Sequence, residues 1–233
     1  MLLESHIDWQ DVLSRLDERG FMVIPAVLAR KTCEEIAAVY GDDRRFRSRI
    51  EMERYGFGRG EYKYFSYPLP EVIQQLRSAF YPRLAPLANA WLGRVGSMRS
   101  RYPEALSEFI AQCHRAGQKR PTPLMLKYGA GDFNCLHQDL YGEMVFPFQV
   151  TFFLSRRGID FEGGEFVLAE QRPRRQSRIE VLLPNQGDAV IFAVHHRPVE
   201  GTKGYYRASL RHGVSTVHSG KRYTLGIIFH DAK

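Results

Sequence analysis

The chain has 233 residues, 44% of them hydrophobic, with a formal net charge of +7 and a pI near 9.4. This is enough apolar chain for one generous folded domain and excludes a disordered tail or low-complexity protein. No run of about 18 apolar residues is present, so no membrane-spanning helix is expected, and Met1–His6 turns polar too early for a secretory leader.

Cys33, Cys113 and Cys135 are odd in number and widely spaced. They are expected to be reduced thiols in a cytoplasm, not a disulfide framework. The basic balance favours a polyanionic partner such as nucleic acid. Arg supplies 26 of the 33 basic residues, however, and codon usage alone produces such a bias. Oligomeric state is left open.

Residues 8–19 are expected to form a helix capped by Asp8, striped by Trp9, Val12, Leu13 and Leu16, and stopped by Gly20. Phe21–Ile24 is a short strand closed by Pro25. Thr32 and Glu35 have the spacing of a capping box for a helix reaching Tyr40. The run from Asp42 to Arg49 sets four arginines around Phe46, either a solvated turn or a phosphate track. From Tyr55 to Tyr67, glycines, aromatics and basic residues interleave. Tyr62 and Tyr64 share a face if this is a strand. There the rings either stack bases, with Arg59 and Lys63 on the backbone, or close the core; the segment is a candidate substrate lid.

A helix opening at Pro70 is expected to break at Pro82 and Pro86, with a second piece carrying Leu87, Trp91 and Leu92. Arg94, Arg99 and Arg101 form a basic link, and another helix runs from Pro103 to Gly117. Residues 1–120 thus form a mainly helical annex. After Pro121 the chain changes to short apolar runs divided by Gly, Asn and Asp. Expected strands are 124–128, 146–154, 165–168, 178–183, 188–193, 208–214 and 222–229. They suggest a β-sandwich or jelly roll over 121–233, with the annex packed on it in a single α+β domain.

Chemistry concentrates in two places. His137-Gln138-Asp139 puts an imidazole and a carboxylate two residues apart, on one face of an extended backbone. A second imidazole would complete the two-His, one-carboxylate triad of non-haem Fe(II) sites, which leaves positions open. The run from Arg211 to Leu225 supplies His212 and, ten residues on, Arg222.

His137-x-Asp139, then His212, then Arg222, with Ser219-Gly220 between, resembles the 2-oxoglutarate- and Fe(II)-dependent dioxygenases, nearest to the prolyl-hydroxylase and alkylation-repair branches. Gly60–Phe65 and Gly204–Arg207 further resemble a bacterial group of these enzymes described as acting on nucleic acid. The resemblance implies a double-stranded β-helix and the use of Fe(II), 2-oxoglutarate and O2. It also implies that Tyr128 touches the 2-oxo acid, with Gln149 facing the same acid, and that Gly163-Gly164 is a structural turn. The substrate is expected to be nucleic acid, with oxidative demethylation of a damaged base as one reaction. A protein side chain, or nucleic-acid binding without turnover, are the alternatives.

Spacing makes its own case for Arg222. If Ser219-Gly220 centres a hairpin, His212 and Arg222 share parity about it and both face inward, offset by about four residues or ~13 Å. A guanidinium there would take the distal carboxylate of the 2-oxo acid in a bidentate pair. The departure from pattern is the insertion from His195 to Arg207. It makes His196 a rival third ligand, although ten residues beyond it stands Tyr206 rather than Arg. Tyr205, Tyr206 and Arg207 are expected near the pocket mouth as substrate contacts; His218 is read as a turn residue.

Overall fold

The computed structural model describes residues 7–97, 101–140 and 142–233. Among the described residues four α-helices, α1 (Trp9–Arg19), α2 (Arg30–Val39), α3 (Glu71–Arg94) and α4 (Leu106–Arg115), accompany two antiparallel sheets. The major sheet orders β1 (Phe21–Ile24), β11 (Ala189–Ala193), β7 (Phe148–Phe153), β14 (Val217–Ile228), β5 (Leu124–Gly129), β4 (Glu61–Phe65) and β2 (Phe46–Glu51), with β8 (Phe161–Gly163) on the start of β14. The minor sheet orders β10 (Arg178–Leu182), β9 (Phe166–Gln171), β13 (Gly204–Val214), β6 (Phe133–His137) and β3 (Gly58–Arg59), with β12 (His196–Gly201) on β13.

Strict alternation divides the major sheet between two neighbours. Phe148, Val150 and Phe152 of β7, Ile191 of β11, and Leu225 and Ile227 of β14 join the large core beneath the helices. The alternate residues Gln149, Thr151, Arg222 and Thr224 look the other way, into a cavity that also contains Tyr128 and minor-sheet His212. One face of the sheet is therefore a hydrophobic foundation and the other is a wall of the site.

Local signals account for several element ends. Asp8 accepts from the N–H groups of Gln10 and Asp11 to cap α1, and Gly20 at φ +80° closes it. The expected capping box is absent: α2 begins at Arg30 and Thr32 is buried within it. Leu28 N–H donates to Gly187 O, and that cross-link aims the chain so that the helix starts at once. The expected break at Pro82 and Pro86 also does not occur; both prolines lie inside the continuous α3. They stand four apart on its exposed side, where the missing N–H bonds bare carbonyls that water can meet.

The first half is more than a helical annex. Strands β1, β2, β3 and β4 all come from the first 65 residues and build into the two sheets. In the expected basic link Arg94 pairs with Asp17, and Arg99 lies outside the described residues. The 42–49 run folds as a short turn and β2; Arg44 pairs with Asp42 and Arg49 with Glu61.

The largest correction concerns Ser219-Gly220. These residues do not centre a hairpin but lie within β14. The chain changes sheets at Ser215-Thr216, between β13 and β14, which are not hydrogen-bonded to each other. Gly220 has another duty: at φ +77° its missing Cβ would sit 2.0 Å from Asp160 O, where Lys221 N–H donates to the same carbonyl. His218 is likewise a strand residue, not a turn residue. Gly220→Ala is expected to cost more than about 2 kcal/mol, from left-handed strain plus the backbone collision. Urea unfolding would show this as a lowered midpoint.

Candidate metal and co-substrate site

His137 ends β6, His212 stands on β13, and the two are directly paired across the ladder. Asp139 follows on the loop leaving β6. His137 Nε2 is 3.5 Å from Asp139 Oδ1, and His212 Nε2 is 3.3 Å from Asp139 Oδ2. The three ligand atoms lie within 4.8 Å of one another. Atoms that share an ion at about 2.1 Å sit roughly 3–4 Å apart, so little movement is needed to close on a metal. Among the described residues this is the cluster of His, Cys, Asp and Glu side chains that could hold one.

The electrostatics suit a metal ligand set. His137 Nδ1 is 2.8 Å from Cys135 O. A carbonyl only accepts, so Nδ1 carries the proton and Nε2 presents its lone pair to the centre. Burial, then the neighbouring His137, pushes the His212 pKa down against the pull of Asp139, favouring the neutral ligand form. Gln138 steadies the loop: its amide nitrogen is 3.0 Å from His195 O, 3.1 Å from Ser209 Oγ and 2.7 Å from Leu210 O. The residue between the two ligands is thus tied to the strand that carries the third.

Arg222 lies in the same cavity, whose volume is about 380 Å³. It is 1% exposed, and none of its three guanidinium nitrogens has a hydrogen-bond partner. Its charge rests on the rings of Tyr128 at 5.4 Å, Phe153 at 5.3 Å and Phe161 at 6.0 Å. Burial lowers its pKa to about 10, which leaves it cationic at neutral pH. Tyr128 is fully buried and its hydroxyl accepts from Asn134 Nδ2 at 3.3 Å. Gln149 also lines the cavity, with its Oε1 buried and unpartnered.

The other candidate residues scatter. Tyr62 lines the cavity. Tyr64 does not; it is buried, with the Arg47 guanidinium 4.5 Å from its ring. Arg59 is exposed beside Glu53 at 3.8 Å, and Lys63 is buried against Tyr40 O and Asp43. β4, which carries both tyrosines, is an inner strand between β2 and β5 rather than a lid. The insertion folds as the β12–β13 hairpin, and Tyr205, Tyr206 and Arg207 stand apart from the metal cavity. Tyr205 meets Arg94, Tyr206 pairs with Val199, and Arg207 lines a separate cavity with His195 and His196. Three polar cavity residues, Asn134, Thr151 and Thr224, went unnoticed in the sequence. Alternation from Gln149 and Arg222 would have found the two threonines.

Comparison with known proteins agrees with this geometry. Residues 60–232 match the model of a family, Oxygenase-NA, described as an oxygenase catalysing oxidative methylation of damaged DNA. The chain belongs to this family. Two uncharacterized proteins from Mycobacterium tuberculosis strains CDC 1551 / Oshkosh and ATCC 25618 / H37Rv are each 49% identical over 168 residues, covering 72% of this chain and 72% of theirs. Solved structures share the fold. A Pseudomonas putida prolyl-4-hydroxylase aligns at 14% identity over 97% of this chain and 99% of that one, with a TM-score of 0.55. A prolyl hydroxylase from Trichoplax adhaerens, in complex with a hypoxia inducible factor peptide fragment, aligns at 15% over 96% and 89%, with a TM-score of 0.57. A 2OG-Fe(II) oxygenase family oxidoreductase from Burkholderia pseudomallei aligns at 16% over 97% and 93%, with a TM-score of 0.53. The protein is therefore an oxygenase, an oxidoreductase on the jelly-roll fold of these enzymes. The cavity fits Fe(II), 2-oxoglutarate and O2 as its cofactor and co-substrates.

His196 is not part of the cluster: its Nδ1 is 2.7 Å from His195 Nδ1, and it faces the separate cavity. His212→Ala is accordingly expected to abolish Fe(II) binding while His196→Ala retains it. Anaerobic titration with Fe(II) and 2-oxoglutarate, read as the visible metal-to-ligand band, checks both.

Proposed function

We propose that this oxygenase is a 2-oxoglutarate-dependent dioxygenase that hydroxylates a nucleic-acid substrate, with His137, Asp139 and His212 as Fe(II) ligands and Arg222 as the anchor of the 2-oxo acid. The observation that carries the reading is the unpaired guanidinium of Arg222, buried in the same cavity as the three ligands. A cation without an acceptor in a dry cavity is costly unless an anion arrives to meet it. A dicarboxylate can do so: one end reaches the metal positions and the other pairs with the guanidinium.

Fe(II) held by His137, Asp139 and His212 would bind and reduce O2, which in its triplet state does not react readily with closed-shell carbon. The protein's own side chains bind and orient. Arg222 fixes the distal carboxylate, while Tyr128 and Gln149 offer a hydroxyl and an amide beside it. Phe153, Phe161 and Phe166 border this region and exclude the water that would compete for the carboxylate. Overall, one oxygen atom of O2 enters the substrate C–H bond and the other enters succinate as 2-oxoglutarate loses CO2. If the hydroxylated carbon is an N-methyl group, the product hemiaminal releases formaldehyde.

The nucleic-acid assignment is supported by the family description and by the +7 charge. A base in a duplex must leave the stack to reach such a cavity. The free thiols Cys33, Cys113 and Cys135 fit a reducing compartment such as the cytoplasm, and no helix among the described residues is long and apolar enough to cross a membrane.

Arg222→Met is expected to weaken 2-oxoglutarate at least about 100-fold, the scale of a lost charge-assisted pair, with Fe(II) affinity much less affected. Arg222→Lys should recover only part, since an ammonium cannot make the fork. Isothermal titration of 2-oxoglutarate into the Fe(II)-loaded protein under nitrogen reads both. Equal affinity in all three proteins would remove Arg222 from the site.

A further inference from the structure

The cavity beside His137, Asp139 and His212 is about 380 Å³, near the low end for ligand pockets, and has room for a small co-substrate and one flat group. Any polymer that delivers a group to it must run outside, across the rim. The rim on one side is a short turn, Met52–Tyr55, followed by Gly56 and Phe57, and Gly56 and Phe57 line the cavity. Tyr55 and Phe57 are 59% and 46% exposed. Their rings lie nearly parallel, at 19°, with centroids 5.5 Å apart. Two large aromatic residues are thus held side by side in water at the mouth of the site.

The backbone fixes them there. Gly56 at φ +70° closes the turn. Phe57 N–H donates to Met52 O, and Cys135 N–H donates to Phe57 O at 2.9 Å. Cys135 is two residues before His137 on the same strand, so the aromatic pair and the metal cluster keep a set distance. Arg54 and Arg59 flank the pair, with side chains 72% and 56% exposed. Their surface ion pairs with Glu51 and Glu53 are of the weak kind that a phosphate can replace.

From this we infer that Tyr55 and Phe57 form a stacking platform for an unpaired nucleobase next to the one placed in the cavity, with Arg54 and Arg59 meeting the adjoining phosphates. The inference rests on the nucleic-acid reading and gives it a substrate class: single-stranded or locally opened strand. Flat apolar rings beside cations are the pairing that single strands use, because every base has a face to stack and every link has a charge. It also relocates the platform from Tyr62 and Tyr64, which lie on the inner strand β4, to residues seven positions earlier.

The test is fluorescence anisotropy of a labelled ten-nucleotide single-stranded DNA with the full-length protein, without O2. Wild type is compared with Tyr55→Ser/Phe57→Ser, and the normal strand with one whose internal sites are abasic. The double variant is expected to bind the normal strand about tenfold or more weakly, the factor one stacked base is worth. Its salt dependence should be unchanged because no charge is removed, and its Tm should match wild type because both side chains are exposed. The abasic strand should bind wild type and variant alike. Equal binding of the normal strand by wild type and variant would overturn the platform and leave the nucleic-acid reading standing. Failure of wild type to bind the strand at any salt would overturn that reading and the platform with it.

Discussion

A guanidinium enclosed by three aromatic rings, with no acceptor within reach, is the constraint on which the rest of this structure depends. Removing such a charge from water is expensive, and the quadrupoles of Tyr128, Phe153 and Phe161 return only part of the cost. The fold therefore carries a deficit at Arg222 that a bound dicarboxylate can offset. Everything near it is arranged to keep it there. Gly164 passes so close that a Cβ would stand 3.0 Å from Arg222 Cδ. The strand register sets Tyr128 opposite Arg222 on β5, and the helices close the far side of the sheet. A site that spends stability for function is expected where local rules are broken.

The second constraint is the facing of two sheets. The three residues that could hold a metal all come from the minor sheet or the loop leaving it, whereas Arg222, Tyr128 and Gln149 come from the major sheet. Neither sheet holds a complete site. The cavity exists because β13 crosses to the major sheet as β14 through only Ser215-Thr216, placing an imidazole and a guanidinium ten residues apart on opposed walls. The large core beneath the helices, which includes residues from Val12 to Phe229, keeps the major sheet rigid enough for this facing to be maintained.

Much of this is legible in the sequence. Alternating apolar residues announced the strands, and Asp8 and Gly20 marked the ends of α1. The ligand types and their order pointed to an oxygenase. What failed did so for tertiary reasons. Thr32 and Glu35 have capping-box spacing, but the bridge from Leu28 to Gly187 starts the helix earlier. Pro82 and Pro86 would break an isolated helix, yet packing of Leu84, Ala85, Leu87 and Ala88 on the inner face carries α3 through. Ser219-Gly220 has the composition of a turn but serves a bend inside β14, since the glycine answers to Asp160 rather than to its neighbours. His212 and Arg222 do line one cavity, but from two facing sheets and not across a shared hairpin.

By itself the sequence determined which groups are available, two imidazoles, a carboxylate and an arginine, in an order and spacing that resemble those of 2-oxoglutarate- and Fe(II)-dependent dioxygenases. It also determined which faces of each strand would be apolar, because side-chain direction follows from the backbone period alone. Only the tertiary structure decided that His212 rather than His196 faces His137, since the choice is made by pairing of β13 with β6. It alone placed Tyr55 and Phe57 at the rim and withdrew Tyr64 and Lys63 from it. Aromatic and basic residues look alike along a chain whether they end in water or in a core; that depends on neighbours that only the fold brings together, such as Tyr40 and Asp43 for Lys63 and Arg47 for Tyr64.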